Sequence, residues 1–327
     1  MKFFRRLLLL VVVLSVLIFG GLVKGVRWHP SLASYQALEL PPAPQARHGA
    51  LRVTWLGVST LLFDDGETAF MTDGFFSRPG ALQTALGKVA PNRPAITAAL
   101  ARAGVKRLAG VVVLHSHYDH AMDSPVVAQL TGARLIGSES TAFIARGQGF
   151  DERRLVGIAP EGGSVTLGRF HLTLIGSVHA PEDHFPGVIT AALVPPSRAS
   201  AYKTGSAYSL LVEHDGHTLL VQSSAGFVPG ALQGRRAETV LLGIGLLGKM
   251  RDSYREAYWK ELVQTVGAQR VIPIHWDDFF RPLSEPIEAL PWVADRIPVS
   301  LDFLQAKADA EHVRLGLPVV FQPFDPF

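Results

Sequence analysis

Residues 115–120 read His-Ser-His-Tyr-Asp-His and directly follow the apolar run Val111-Val112-Val113-Leu114. Three imidazoles and one carboxylate therefore fall within six positions. Imidazole nitrogen and carboxylate oxygen are ligands that zinc and neighbouring first-row metals accept. A solvated, histidine-rich turn is the alternative interpretation, but so dense a pattern after an apolar run favours a metal site.

The spacing of this hexapeptide predicts how its side chains divide. A buried strand over residues 109–114 must end before Ser124-Pro125, which is typical of a helix start. The hexapeptide therefore lies on a strand-to-helix loop. His115 and His117, two residues apart, can share one metal, whereas the adjacent Asp119 and His120 can serve a second metal beside it.

Further ligands must come from the ends of later strands. His179 ends the apolar run 172–178 and is expected as the third ligand beside His115 and His117. Three imidazoles around zinc leave a fourth position for water, whose pKa such a metal lowers towards about 7. His275 likewise ends the run 271–274. His184, in the long loop after His179, is a candidate for binding substrate or metal.

The hexapeptide resembles the signature of the metallo-β-lactamase superfamily, and its Tyr118 variant is similar to the branch of N-acylphosphatidylethanolamine phospholipase D and the ascorbate-phosphate lactonases. The resemblance implies an α+β fold, a four-layer αββα sandwich with metals at one edge between two sheets. It also implies that His275 joins Asp119 and His120 at a second metal. Asp119 would be the catalytic residue, both a ligand and an orienter of the nucleophile.

Two other positions are interpreted through the same resemblance. Asp73 matches a carboxylate that orients a ligand histidine, although a turn aspartate before Gly74 is equally expected. Ser224 stands where members with two metals have a bridging aspartate. Three accounts stay open: one tightly bound metal, a weakly bound second metal, or a carboxylate from elsewhere, the candidates being Asp183, Asp277 and Asp278.

Alternation of apolar and polar residues predicts further elements of the domain. Strands are expected at residues 52–58, 60–63 and 67–72, opening a sheet as a meander. Ser253-Tyr254-Arg255-Glu256 has the form of a capping box and predicts a helix to about residue 266. Residues 180–206 hold four prolines and are expected to form a long functional loop.

Composition excludes several classes of protein. Of the 327 residues, 48% are hydrophobic and 18% charged, so a sizeable core is available. A net charge of +3, without a basic stripe beyond the extreme N-terminus, excludes nucleic acid as the expected partner. The chain has no cysteine, which excludes disulfides and thiolate metal sites.

The N-terminus has the pattern of a targeting segment. Lys2, Arg5 and Arg6 precede an uninterrupted apolar stretch over residues 7–23. We expect an uncleaved transmembrane anchor, with a cleaved signal sequence and a buried core helix as alternatives. The division is then residues 1–24 as anchor or signal sequence, 25–50 as tether and 51–327 as the metallo-β-lactamase-fold domain. The positive flank predicts an extracytoplasmic domain, periplasmic if the source is a Gram-negative bacterium.

The resemblance implies a hydrolase that uses a metal-bound hydroxide on an ester, phosphodiester or lactone, and the predicted anchor would tether it to a membrane. The expected cofactor is Zn²⁺, one or two ions, with other divalent first-row metals as alternatives. Trp276, Phe279 and Phe280 follow His275 and favour a small-molecule or lipid-like substrate. The rival hypothesis is a catalytically degenerate, metal-binding sensor or scaffold of the same fold.

Overall fold

Two seven-stranded mixed sheets form the centre of the molecule, and their central strands are apolar runs buried on both faces. The computed structural model describes residues 4–6, 13, 20, 28–43 and 49–327. The first sheet has the order β14-β1-β2-β3-β4-β5-β6, with β1 Arg52–Trp55, β2 Leu61–Asp64, β3 Ala69–Thr72, β4 Gly110–Val112, β5 Arg134–Gly137, β6 Leu155–Gly157 and β14 Pro323–Phe324. The second has the order β13-β12-β11-β10-β9-β8-β7, with β7 Gly162–Leu167, β8 Phe170–Ser177, β9 Ala207–His214, β10 His217–Gln222, β11 Thr239–Gly243, β12 Arg270–Ile274 and β13 Arg314–Leu315.

Successive side chains at the end of β4 point to opposite faces of the first sheet, as the two-residue period of a strand requires. Val112 and Leu114 enter the core between the two sheets. Val111 and Val113 enter a second core beneath the outer helices. All four are fully buried, and each contributes about 1.5–3 kcal/mol of hydrophobic stabilisation. The strand before the hexapeptide is therefore fixed from both sides.

Helices cover the outer faces of both sheets. Ile96, Leu100, Val127 and Ile144 pack against the first sheet, and Trp259 and Leu301 lie in the core shared with the second. The α-helices span Ala81–Leu86, Arg93–Arg102, Tyr118–Ala121, Ser124–Thr131, Glu139–Gly147, Asp252–Trp259 and Ile297–Glu311. Short 3-10 helices span Ala33–Leu38, Glu152–Arg154, Ala199–Ala201 and Leu247–Lys249. This arrangement is consistent with the α+β sandwich that the resemblance implies.

Several strand and helix boundaries differ from the predicted ones, and the reasons are local. The predicted strand 52–58 ends at Trp55, because Gly57 and Val58 turn the chain with φ of 95° and 49°. The predicted capping box at Ser253 is wrong: the helix begins at Asp252, and no side chain caps it. This helix continues as a π-helix over Lys260–Gln264.

The prediction of an N-terminal transmembrane anchor is corrected by the structure. Crossing a bilayer takes about 20 consecutive, mostly apolar helical residues. No helix in the described part of the chain is long and apolar enough, and the 15-residue helix Ile297–Glu311 carries several charges. The predicted span itself, residues 7–23, lies outside the described residues except at positions 13 and 20. The membrane partner and the extracytoplasmic location, which rested on the anchor, are withdrawn with it.

Part of the predicted tether packs on the domain. The side chains of Tyr35 and Leu40 are buried in the same hydrophobic core as Trp259 and Leu301. The Tyr35 hydroxyl donates to Asp302 Oδ1 at 2.6 Å, and the Leu40 N–H donates to the carbonyl of Leu317 at 2.8 Å. Residues 33–40 are therefore integrated into the fold.

Candidate metal centre

The candidate site lies where the carboxyl ends of several strands meet at one edge of the sandwich. In the second sheet, β8 and β10 both pair antiparallel with β9, and β12 runs parallel to them through β11. Their carboxyl ends therefore share one edge. His179 lies two residues beyond β8, and His275 directly follows β12. The hexapeptide after β4 supplies the facing residues from the first sheet.

The first group of candidate ligands, here called the three-histidine group, is His115, His117 and His179. One ring nitrogen of each lies within 4.8 Å of the others. The rings of His115 and His117 are buried, and that of His179 is half-buried. This is the set that the sequence predicted for one metal.

The second group, here called the aspartate group, is Asp119, His120 and His275, all of them buried. The Nε2 atoms of His120 and His275 are 3.3 Å apart, and Asp119 Oδ2 lies 3.6 Å from each. A single helical turn, Tyr118–Ala121, places Asp119 and His120 on this side. The structure thus brings the six predicted ligands together as two adjacent groups.

The backbone at His275 is shaped to present its ring. Its φ of 60° is uncommon for a non-glycine residue. Its N–H donates to the carbonyl of Val58 at 2.9 Å, which joins the two sheets at the site. A Cβ at Gly245 would lie 3.2 Å from His275 Nδ1, so a glycine leaves room for the ring. The conformation is held by contacts from both sheets.

Asp73 contacts His120 of the aspartate group and orients its ring. Its Oδ2 lies 2.7 Å from His120 Nδ1, and its Oδ1 accepts the N–H of Leu114 at 2.9 Å. Complete burial raises the pKa of Asp73 well above its usual range, and the Asp119 carboxylate adds to that rise. A carboxylate on one ring nitrogen fixes the tautomer that leaves the other nitrogen free for a metal.

Asp183 plays the same part for the three-histidine group. Its Oδ1 lies 3.1 Å from His117 Nε2, and its Oδ2 accepts a hydrogen bond from the Thr204 hydroxyl. Burial alone would raise the pKa of Asp183, but the hydrogen bonds from His117 and Thr204 bring it below its usual range. Each group is therefore backed by one carboxylate that contacts a histidine ring.

Burial favours the neutral, metal-ligating form of His115, His120, His179 and His275. Burial, followed by neighbouring imidazoles, lowers the pKa of His115 and His120 well below the usual range. The same causes lower the pKa of His179 to about 4, and burial lowers that of His275. The Nε2 atom of His115 is buried without a hydrogen-bond partner. A buried ring nitrogen of this kind is costly unless a cation binds it, so the donor set fits a divalent metal.

The remaining predicted residues divide between the site and the scaffold. Ser224 and His184 line the cavity in front of the metal groups. Asp277 faces away: its Oδ1 accepts the N–H of Val58 at 2.8 Å, and its Oδ2 pairs with the Arg78 guanidinium. Asp278 Oδ1 accepts the N–H of Phe280 at 3.0 Å. Neither Asp277 nor Asp278 joins a ligand group.

The cavity in front of the metal groups has a volume of about 420 Å³ and mostly apolar walls. The metal groups contribute His117, Asp119, His179 and His275 to its lining, and Lys249 lies at its exposed side. The apolar lining consists of Tyr118, Phe185, Leu246, Phe279, Phe280, Leu290, Val293 and Ala294. Trp276, which was expected at this rim, packs instead against Trp55, with ring centroids 4.8 Å apart and the ring planes tilted by 33°.

Sequence reasoning missed Arg78, Thr204 and Ser223, whose roles depend on distant partners. Ser223 Oγ lies 3.4 Å from His115 Nδ1, and Arg78 pairs with a residue 199 positions away. For Ser223, the sequence offered one signal: it directly precedes Ser224, which was already a candidate site residue. Nothing in the local sequence distinguishes Arg78 or Thr204 from a surface residue.

Comparison with known proteins gives a family match and relatives that are named metal-dependent hydrolases. Residues 69–276, almost two thirds of the chain, match the family model described as beta-lactamase superfamily domain. A UPF0173 metal-dependent hydrolase of Anaeromyxobacter sp. (strain K) is 26% identical over 140 residues, covering 42% of this chain and 46% of that protein. One of Chloroflexus aurantiacus is 28% identical over 174 residues, covering 53% and 66%. The chain thus spans about half the length of the Anaeromyxobacter relative.

Solved structures show the same fold at low sequence identity. A metallo hydrolase from the archaeon Ignicoccus hospitalis superposes with a TM-score of 0.52 at 17% identity, covering 82% of this chain and 94% of that one. An isothiocyanate hydrolase from Delia radicum gut bacteria gives a TM-score of 0.50 at 15% identity, covering 82% and 96%. These likenesses concern the fold alone.

Proposed function

This chain belongs to the beta-lactamase superfamily, as the hexapeptide predicted, and we propose that it is a metal-dependent hydrolase with residues 51–327 as its catalytic domain. The observation that carries the proposal is the pair of ligand groups, each gathered within 4.8 Å at one edge of the sandwich. The curated relatives, which are metal-dependent hydrolases by name, support it. Membership of the phospholipase D and lactonase branch stays a prediction.

We assign zinc as the metal, held by the three-histidine group and the aspartate group. Nitrogen-rich donor sets without thiolates suit zinc, and iron or other first-row metals accept the same ligands. When bound, such an ion supplies Lewis acidity and an activated water for attack on an ester, phosphodiester or lactone.

The residues of the chain have separate tasks in this reaction. Asp119 is the catalytic residue of this proposal: it would help to hold the metal, and its carboxylate would accept a hydrogen bond that orients the attacking water. Asp73 and Asp183 hold the rings of His120 and His117 in one tautomer. Phe279 and Phe280 belong to the apolar wall that receives the substrate and excludes bulk water. The proposed substrate is therefore a small molecule with an apolar body next to its hydrolysable bond.

The test measures metal content and turnover on the same purified full-length chain. Elemental analysis gives metals per chain, and a panel of aryl esters, aryl phosphodiesters and lactones gives the reaction. His117→Ala is expected to lower metal content and to reduce turnover at least about a hundredfold, since it removes a ligand. The matched control is His171→Ala, because His171 is exposed on β8, and it should leave both quantities unchanged.

Three outcomes would contradict parts of this assignment. A wild-type chain without stoichiometric metal would refute the metal site. Full activity of His117→Ala would refute its role as a ligand. Stoichiometric metal with no turnover on the whole panel would instead favour the rival hypothesis of a metal-binding sensor or scaffold.

A further inference from the structure

The two ligand groups contain a single carboxylate between them. In the described part of the chain they comprise five imidazoles and Asp119. A histidine ligates a metal as the neutral imidazole, so the five rings bring no negative charge. Two divalent cations would therefore bring four positive charges to ligands that carry one negative charge.

The other carboxylates around the site are engaged elsewhere. Asp73 contacts His120 and the N–H of Leu114, and Asp183 contacts His117 and Thr204. Asp277 is neutralised by Arg78, with both side chains fully buried. Asp73 and Asp183 act through a histidine ring, so neither binds a metal directly.

Ser224 lines the cavity at the position where the family resemblance places a bridging aspartate. It is buried and lines the same cavity as His179 of one group and His275 of the other. Its Oγ accepts the N–H of Ala180 at 2.9 Å, which ties it to the residue after His179. A neutral hydroxyl offsets none of the repulsion between two neighbouring dications.

We propose that the chain binds one dication tightly and a second one weakly, and that the neutral Ser224 side chain is the reason. This inference rests on the proposed metal site and specifies its stoichiometry. The first ion gains the attraction of Asp119. The second gains little further negative charge and meets the repulsion of the first, which is large at the low dielectric of a buried site.

The test is a Zn²⁺ titration of the metal-stripped, full-length chain by calorimetry, with metals per chain counted after gel filtration. We expect one Zn²⁺ retained and a second with a dissociation constant at least about a hundredfold higher. Two ions retained, with dissociation constants within tenfold, would overturn the inference and leave the hydrolase proposal standing. No bound zinc would overturn both.

A pair of variants isolates the charge at position 224. Ser224→Asp and Ser224→Asn have similar shapes, and each retains an oxygen to accept the Ala180 N–H. We expect Ser224→Asp to tighten the second Zn²⁺ about a hundredfold and Ser224→Asn to leave it weak. Equal affinities in the two variants would refute the role of Ser224. Circular dichroism and a thermal melt check that both variants fold, and the wild-type titration decides the stoichiometry without them.

Discussion

Replacing Arg78 with methionine is expected to destabilise the fold by about 3–5 kcal/mol, because it leaves a buried carboxylate without its cation. Arg78 and Asp277 are both fully buried and form an ion pair. The guanidinium also donates to the carbonyl of Asp278 at 3.3 Å. Methionine preserves much of the aliphatic volume, so the change removes mainly the charge and its hydrogen bonds.

The magnitude follows from what remains around Asp277. After the substitution, the Val58 N–H at 2.8 Å is the one remaining partner that the structure shows for its carboxylate. Breaking a buried pair costs much more than replacing both partners, since the double replacement leaves no uncompensated charge. Arg78→Met combined with Asp277→Asn should therefore cost less than the two single losses added together, by about 3 kcal/mol.

The assay is urea unfolding of the metal-free protein, followed by circular dichroism, for the wild type, both single variants and the double variant. Chelator is present throughout, because bound metal would add its own stabilisation. Glu285→Gln is the matched control: it breaks the partly exposed pair with Arg281, which is worth about 0.2–1 kcal/mol. A loss below about 1 kcal/mol for Arg78→Met, or strictly additive losses, would refute the reasoning.

Three further predictions concern the site and the scaffold. Asp73→Asn should weaken metal binding about 10- to 100-fold in a chelator competition. The reason is that an amide has one oxygen and cannot accept hydrogen bonds at both the His120 and the Leu114 positions. An unchanged metal affinity would contradict the orienting role of Asp73. Gly226→Ala should lower the metal content measured by elemental analysis, since a Cβ there would lie 2.4 Å from the carbonyl oxygen of His179. A wild-type metal content would contradict this prediction and show that the loop carrying His179 can shift to accept the methyl group. Burial raises the pKa of Asp295 to about 6, so its protonated form stabilises the fold at low pH, and this stabilisation is lost as pH rises through about 6. Relative to Asp295→Asn, the wild type should lose about 2 kcal/mol of unfolding free energy between pH 4 and pH 7, and parallel stability profiles would refute the shift.

Local sequence patterns predicted much of the fold and most of the residues of the candidate site. The strand before the hexapeptide and the positions of His179 and His275 after strands follow from apolar runs that end in a polar residue. Short elements were missed: β13 has only two residues and β14 two more, too few for a periodic pattern. The anchor was inferred from hydropathy alone, and the described structure shows no membrane-spanning helix.

The sequence by itself pointed to the superfamily and to the six candidate ligands, because four of them share one hexapeptide and His179 and His275 each end an apolar run. Only the tertiary structure decided which other residues of the site contact those ligands and which turn away from them. It placed Asp183 on His117, turned Asp277 away to Arg78, and set Ser224 in the cavity against the residue after His179. The physical reason is that these contacts join residues 44 to 199 positions apart. The contacts of Asp183 and Asp277 form only when the two sheets pack together, and that of Ser224 forms only when β8 and β10 align in the second sheet.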